Sequence, residues 1–76
     1  MSETRKLFGK RLRQLRQEKF YSQEKLSELA GVTPDQISLM ERGKSAASFE
    51  TLDGLSHALK VPIKELFDFE KLPKDG

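Results

Sequence analysis

The chain has no cysteine and a single histidine, His57. It therefore carries no disulfide framework, and no cluster of sulfur and imidazole ligands exists to hold a metal. The same scarcity argues against an enzyme, since His57 has no cysteine to act with, and no cofactor is expected. Apolar runs are short as well. None approaches the ~20 residues that cross a bilayer, and the basic N-terminal stretch leads into an amphipathic helix instead of an apolar signal segment. A soluble, cytoplasmic protein without membrane contact is the expectation. No stretch alternates with period two, which leaves helices as the only regular structure.

With 76 residues, of which 36% are apolar, one hydrophobic core can be filled and not two. Residues 1–76 read as a single domain, with a folded core over 5–67 and a short C-terminal tail over 68–76. The net charge of +2 is modest, but residues 1–44 hold ten Lys and Arg against six Asp and Glu, while residues 45–76 hold four against six. A basic half and an acidic half suit a domain that turns one side to an anionic partner.

The capping signals divide the chain into five helices. Helix 1 is expected from about Thr4 or Arg5 to Lys19, with Phe8, Leu12 and Leu15 on one stripe and Arg5, Lys6, Lys10, Arg11, Arg13 and Arg16 around the rest. Ser22 caps helix 2, Gln23 to Ala30, which is expected to bury Leu26, Leu29 and Ala30. Gly31 can take the left-handed conformation that ends it. Thr33-Pro34 restarts the chain with a hydroxyl cap and a proline at the first position, giving helix 3 from Pro34 to about Glu41 with Ile37 and Met40 inward and Gly43 as its stop. Residues 44–47 connect. Ser48 caps helix 4, where Leu52, Leu55, Ala58 and Leu59 face the core and Gly54 costs roughly 1 kcal/mol against alanine. Pro62 or Ile63 opens a short helix 5 through Phe67, and Pro73-Lys74-Asp75-Gly76 are expected to fray. Helices 2 and 3, joined by a tight glycine turn, make a helix-turn-helix, whose second helix can enter a DNA major groove.

Many residues in register carry a more specific signal. Arg13, Arg16, Ser22-Gln23-Glu24, Leu26, Gly31-Val32, Ile37-Ser38, Glu41-Arg42-Gly43-Lys44, Ser48, Thr51-Leu52, Ala58-Leu59, Val61 and Leu66-Phe67 resemble the helix-turn-helix domain of the lambda repressor and Cro type, also found in xenobiotic-response-element-like bacterial regulators. The resemblance covers residues 7–67 and implies an all-α, compact five-helix DNA-binding domain. Three positions depart from it. Phe20 stands where a helix-ending glycine is usual, so helix 1 ends by another route or accepts left-handed strain. Ser27 replaces a small alanine and can bond the carbonyl of Gln23. Ala47 sits where proline is frequent.

The resemblance also implies roles, each with a plainer rival. Arg16 is expected to pair with Glu41, the alternative being two unrelated surface charges. Gln23, at the open amides of helix 2, is placed over a DNA phosphate and helps to fix the recognition helix, or is an ordinary exposed glutamine. Pro34, Asp35, Gln36 and Leu39 approach base edges. Gln36 suits adenine N6 and N7, Asp35 a cytosine amine and Leu39 a thymine methyl. Leu39 is otherwise core or a dimer contact, and Asp35 otherwise a favourable acid in a first helical turn. Arg42 and Lys44 run beside the phosphate backbone, Ser45 and Ser48 add hydroxyl or backbone-amide contacts, and Arg13 and Lys10 are weaker candidates. Their alternative is solvated surface.

One such helix reads roughly four or five base pairs, so a homodimer on a palindromic operator is expected. Its interface is assigned to helix 5 and the tail, with Phe67, Phe69 and Leu72 as apolar surplus. The expected function is sequence-specific binding of double-stranded DNA by a transcriptional regulator, a repressor by preference. The rivals are an antitoxin-type component with a toxin partner, for which the nine or so residues after helix 5 leave little room, and a controller protein of a restriction-modification system. Glu24 and Glu28 could face RNA polymerase, or serve solubility alone. No ligand pocket is expected.

Overall fold

A computed structural model describes residues 2–74. Its helices are α1 (Glu3–Glu18), α2 (Gln23–Ala30), α3 (Pro34–Glu41), α4 (Phe49–Leu59) and α5 (Ile63–Leu66), followed by a single 3₁₀ turn, Phe69–Lys71. Each of the first four starts on a hydroxyl cap. Ser2, Ser22, Thr33 and Ser48 accept from the backbone amides of Arg5, Lys25, Gln36 and Thr51 respectively. One cap was missed in the sequence, so α1 starts a residue or two earlier than its apolar stripe suggested.

The buried centre consists of Phe8, Leu12, Leu15, Leu26, Ile37, Met40, Leu55, Ala58, Leu59 and Leu66. Every helix contributes at least one of them. Leu29 does not, and it corrects the expected α2 stripe: it is 43% exposed, whereas Ser27 is buried. The inward row is thus Leu26, Ser27 and Ala30, turned toward small side chains because α4 approaches closely. A Cβ on Gly54 would overlap the carbonyl oxygen of Ala30, so glycine within α4 trades helix propensity for helix–helix contact. Ser27 hides its hydroxyl by donating to the carbonyl of Glu24 at 2.7 Å, one residue nearer than the expected Gln23.

The turn after α1 settles how helix 1 ends. Phe20 takes the left-handed conformation, φ +60°, with its N–H donating to the Gln17 carbonyl and the Tyr21 N–H to that of Arg16. The ring is 95% exposed. Gly31 takes the same conformation after α2 at φ +78°.

The C-terminal segment is docked, and of the expected surplus Phe67, Phe69 and Leu72 it leaves Phe67 exposed. Phe8 stacks on Phe67 at 5.2 Å between ring centroids and Phe67 on Phe69 at 6.2 Å. Phe69 is half-buried against the core and Leu72 is half-buried too. The apolar side chains left open here are Ile63 and Phe67. Arg11, counted among the surface cations of α1, is buried at 2% exposure. Its Nε donates to the Glu65 carbonyl at 2.7 Å, Nη2 to Glu65 Oε1 at 2.8 Å, and Nη1 to Gln14. Lys71 Nζ reaches the same Oε1 at 3.0 Å, and Gln14 Nε2 donates to the Lys71 carbonyl at 2.9 Å. Between α1 and this segment lies an open groove of about 700 Å³, lined in part by Leu7, Lys10, Arg13 and Leu72, where none was expected. Of the residues expected to fray, Asp75 and Gly76 lie outside the described residues.

Candidate nucleic-acid interface

α3 presents one face inward and one outward. Ile37 and Met40 are buried. Pro34, Asp35, Gln36 and Leu39 are all exposed, so the core reading of Leu39 does not hold. Ser38 is half-buried beside them.

The orientation of this helix is held at its C-terminal end. Arg16 Nε donates to Glu41 Oε2 at 2.6 Å and Nη2 donates to Oε1 at 3.1 Å, a two-pronged pairing that fits the planar guanidinium to the carboxylate. The third nitrogen, Nη1, donates to the Tyr21 carbonyl at 2.9 Å. Gln23 Nε2 donates to Glu41 Oε1 at 3.0 Å. One carboxylate therefore ties α1, the α1–α2 turn, the start of α2 and the end of α3. Glu41 keeps only 4% of its side chain exposed and Arg16 12%, so both ions depend on each other. α1 can lie this close because Gly9 packs on the carbonyls of Met40 and Glu41, which a Cβ would overlap.

Gln23 thus spends its side-chain amide on fixing α3. Beside it the first backbone N–H groups of α2 lack intrahelical partners, that of Lys25 being taken by Ser22 Oγ at 2.9 Å.

At the other end of α3, Gln36 closes a reciprocal cap. Its backbone N–H donates to Thr33 Oγ1 at 3.1 Å while its Oε1 accepts from the Thr33 N–H at 2.8 Å. The signal was present as Thr-x-x-Gln and went unread. The amide oxygen that would pair with adenine N6 already holds a bond, whereas Nε2 has no protein partner among the described residues.

The loop after α3 collects the remaining candidates. Arg42 ends α3, Gly43 turns at φ +74°, and Lys44 donates its N–H to the Leu39 carbonyl at 2.9 Å. Arg42 and Lys44 are exposed and Ser45 is half-buried. Arg13 stands apart from this group, on the side of α1 that lines the groove beside the C-terminal segment. Among the described residues no helix is long and apolar enough to cross a membrane.

An exposed second helix, clamped from behind and followed by a cationic loop, defines a helix-turn-helix recognition domain. A profile described as helix-turn-helix matches residues 12–66, and the chain belongs to that family, the Cro/C1 type of transcriptional regulator and not a family of enzymes. The control protein C.BamHI of Bacillus amyloliquefaciens is 41% identical over 66 residues, which are 86% of this chain and 82% of that one. Among solved structures, the restriction-modification controller protein C.AhdI of Aeromonas hydrophila superposes with a TM-score of 0.80 at 39% identity, covering 82% of this chain and 94% of its own. The biofilm regulator SinR, solved in complex with DNA, gives a TM-score of 0.76 at 37% identity over 80% of this chain and 98% of that one. The chain spans about half the length, 48%, of other HTH-type regulators that it matches.

Proposed function

We propose that the protein binds a specific double-stranded DNA site through α3 and regulates transcription as a homodimer on a palindromic operator. The observation that carries this reading is the clamp on α3: Arg16, Glu41 and Gln23 hold the helix so that Pro34, Asp35, Gln36 and Leu39 stand together in solvent. In this reading Gln36 donates through Nε2 to a purine N7, and takes the bidentate grip on adenine only by releasing Thr33. Leu39 packs on a thymine methyl, and Asp35 accepts from cytosine or serves the helix dipole. Arg42, Lys44, Ser45 and the open amides of α2 hold phosphates, with Arg13 the least favoured because of where it lies. Repression is the simplest outcome of an occupied operator.

The second copy would join through α5. Ile63 is 39% exposed and Phe67 41%. Phe69 packs on Phe67 and against the core. A controller role in a restriction-modification system is the particular biology favoured, because relatives of that kind match nearly end to end.

Binding-site selection with parent and Gln36→Ala is the test. The variant should lose about 1 to 3 kcal/mol of discrimination at one or two positions, alongside a modest loss of stability from the opened cap. An identical consensus from both proteins would remove Gln36 from the reading set. Ile63→Glu should sediment as a monomer with its helical content retained. A dimer of unchanged mass would move the interface elsewhere.

A further inference from the structure

Two described non-glycine residues adopt a left-handed backbone, Phe20 and Lys60. Lys60 ends α4 and offers water a charged side chain. Phe20 incurs the same Cβ strain and then exposes 95% of its residue surface, so neither the backbone nor the hydrophobic effect is served within the monomer. Phe49 is also bare, at 82%, but sits in ordinary helical geometry at the start of α4. Among the described residues, left-handed strain and an exposed apolar side chain coincide only at Phe20, and strain that the fold itself does not use points to a role outside the fold.

Its position narrows that role. Phe20 is bracketed by hydrogen bonds, its own N–H to Gln17 and that of Tyr21 to Arg16, while the Tyr21 carbonyl receives Arg16 Nη1. The ring is therefore mounted on the same clamp that fixes α3. It precedes the Ser22 cap and the open amides of α2 by two residues.

We propose that Phe20 is a positioning residue for DNA, its ring lying against deoxyribose carbons next to the phosphate held at the start of α2. The inference rests on the DNA-binding reading above. A ring on sugar carbons excludes water and carries neither charge nor base information. It adds affinity for any duplex, and its held angle helps to seat α3 in the groove.

The test is titration of parent, Phe20→Gly, Phe20→Asn and Phe20→Tyr against a random-sequence duplex of about 24 base pairs at several salt concentrations. Glycine and asparagine both accept the left-handed turn, so these variants keep the fold and should melt no lower than the parent. Each should bind about fivefold more weakly, the return on covering part of one ring, with the salt slope unchanged because no phosphate contact is lost. Phe20→Tyr, which keeps the ring, should bind as the parent does. Equal binding by parent and Phe20→Gly overturns the proposal and leaves the α3 interface intact. A changed salt slope, or a lowered dimer mass by sedimentation, overturns it in favour of an ionic or a protein contact. A parent that does not bind duplex at low salt overturns the underlying DNA reading itself.

Discussion

Two arginines of α1 grip two glutamates, and they do opposite jobs. Arg16 and Glu41 are nearly sealed from water and join α1 to the end of α3, with every guanidinium nitrogen and both carboxylate oxygens used. Arg11 is as deeply buried, but Glu65 keeps 22% of its side chain exposed and shares one oxygen between Arg11 and the exposed Lys71. The first cluster sets the angle of the helix that carries the candidate base contacts. The second fastens the C-terminal segment to α1 and touches no candidate contact residue. The comparison teaches that a buried ion pair need not be a functional one. What it orients decides.

Glu41→Ala should break this contrast most severely. It strands Arg16 and Gln23 in a place with little water, at a cost of about 3 kcal/mol, and it frees α3. Urea denaturation measures the first effect. Duplex titration at a temperature where the variant remains folded should still show a loss of binding, and retained affinity would mean that packing alone orients α3.

Gly54→Ala provides the needed control for packing. The added methyl group forces α4 off the Ala30 carbonyl and should cost about 2 kcal/mol, yet the clamp on α3 survives. The folded fraction should bind DNA as the parent does. Equal binding losses in Gly54→Ala and Glu41→Ala would erase the special standing of the clamp.

pH sharpens the comparison on the other side. The hydrogen bond from Lys71, with a smaller contribution from the Arg11 guanidinium, holds the Glu65 carboxyl below the usual carboxylate range. Because its pKa is lowered in the folded state, the stabilisation is complete above the unfolded pKa, about 4.3 for a free glutamate. It is lost as pH falls through the folded value. Glu65→Gln should therefore be less stable than the parent at neutral pH and converge with it in acid. Thermal melts at pH 7 and in the acid range test this, and a constant difference would show that Glu65 acts through something other than its charge.

The smallest effect concerns Lys60. Replacing it with glycine relieves the left-handed turn after α4 and should raise stability by about 0.5 kcal/mol, with DNA binding unchanged. Binding that falls with Lys60→Gly would bring that turn into the interface and blunt the contrast with Phe20.

Local chemistry made much of the fold legible. Hydroxyl caps at Ser22, Thr33 and Ser48, Pro34 and Gly31 act within a few residues, so their consequences can be read along the chain. The Arg16–Glu41 pair was legible through the family resemblance, since 25 residues separate the partners and no spacing rule joins them. Arg11 was misread although it lies between Phe8 and Leu15 on the apolar stripe. A charge there needs a partner, and Glu65, 54 residues away, is visible only once the chain has closed. Leu29 failed for a related reason. Periodicity gives an apolar arc, while the closeness of α4 at Gly54 decides which edge of that arc is buried.

The sequence by itself determined that this chain folds into helices, where α2, α3 and α4 begin, and which turn joins α2 to α3, because capping, backbone preference and a 3.6-residue period are short-range forces. Tertiary structure alone decided which arginine orients α3 and which merely fastens the chain end. It also decided that Phe69 packs against the core and that Leu72 is half-buried beside it. Those outcomes depend on desolvation and on groups far apart in the chain, and neither exists until the helices have packed.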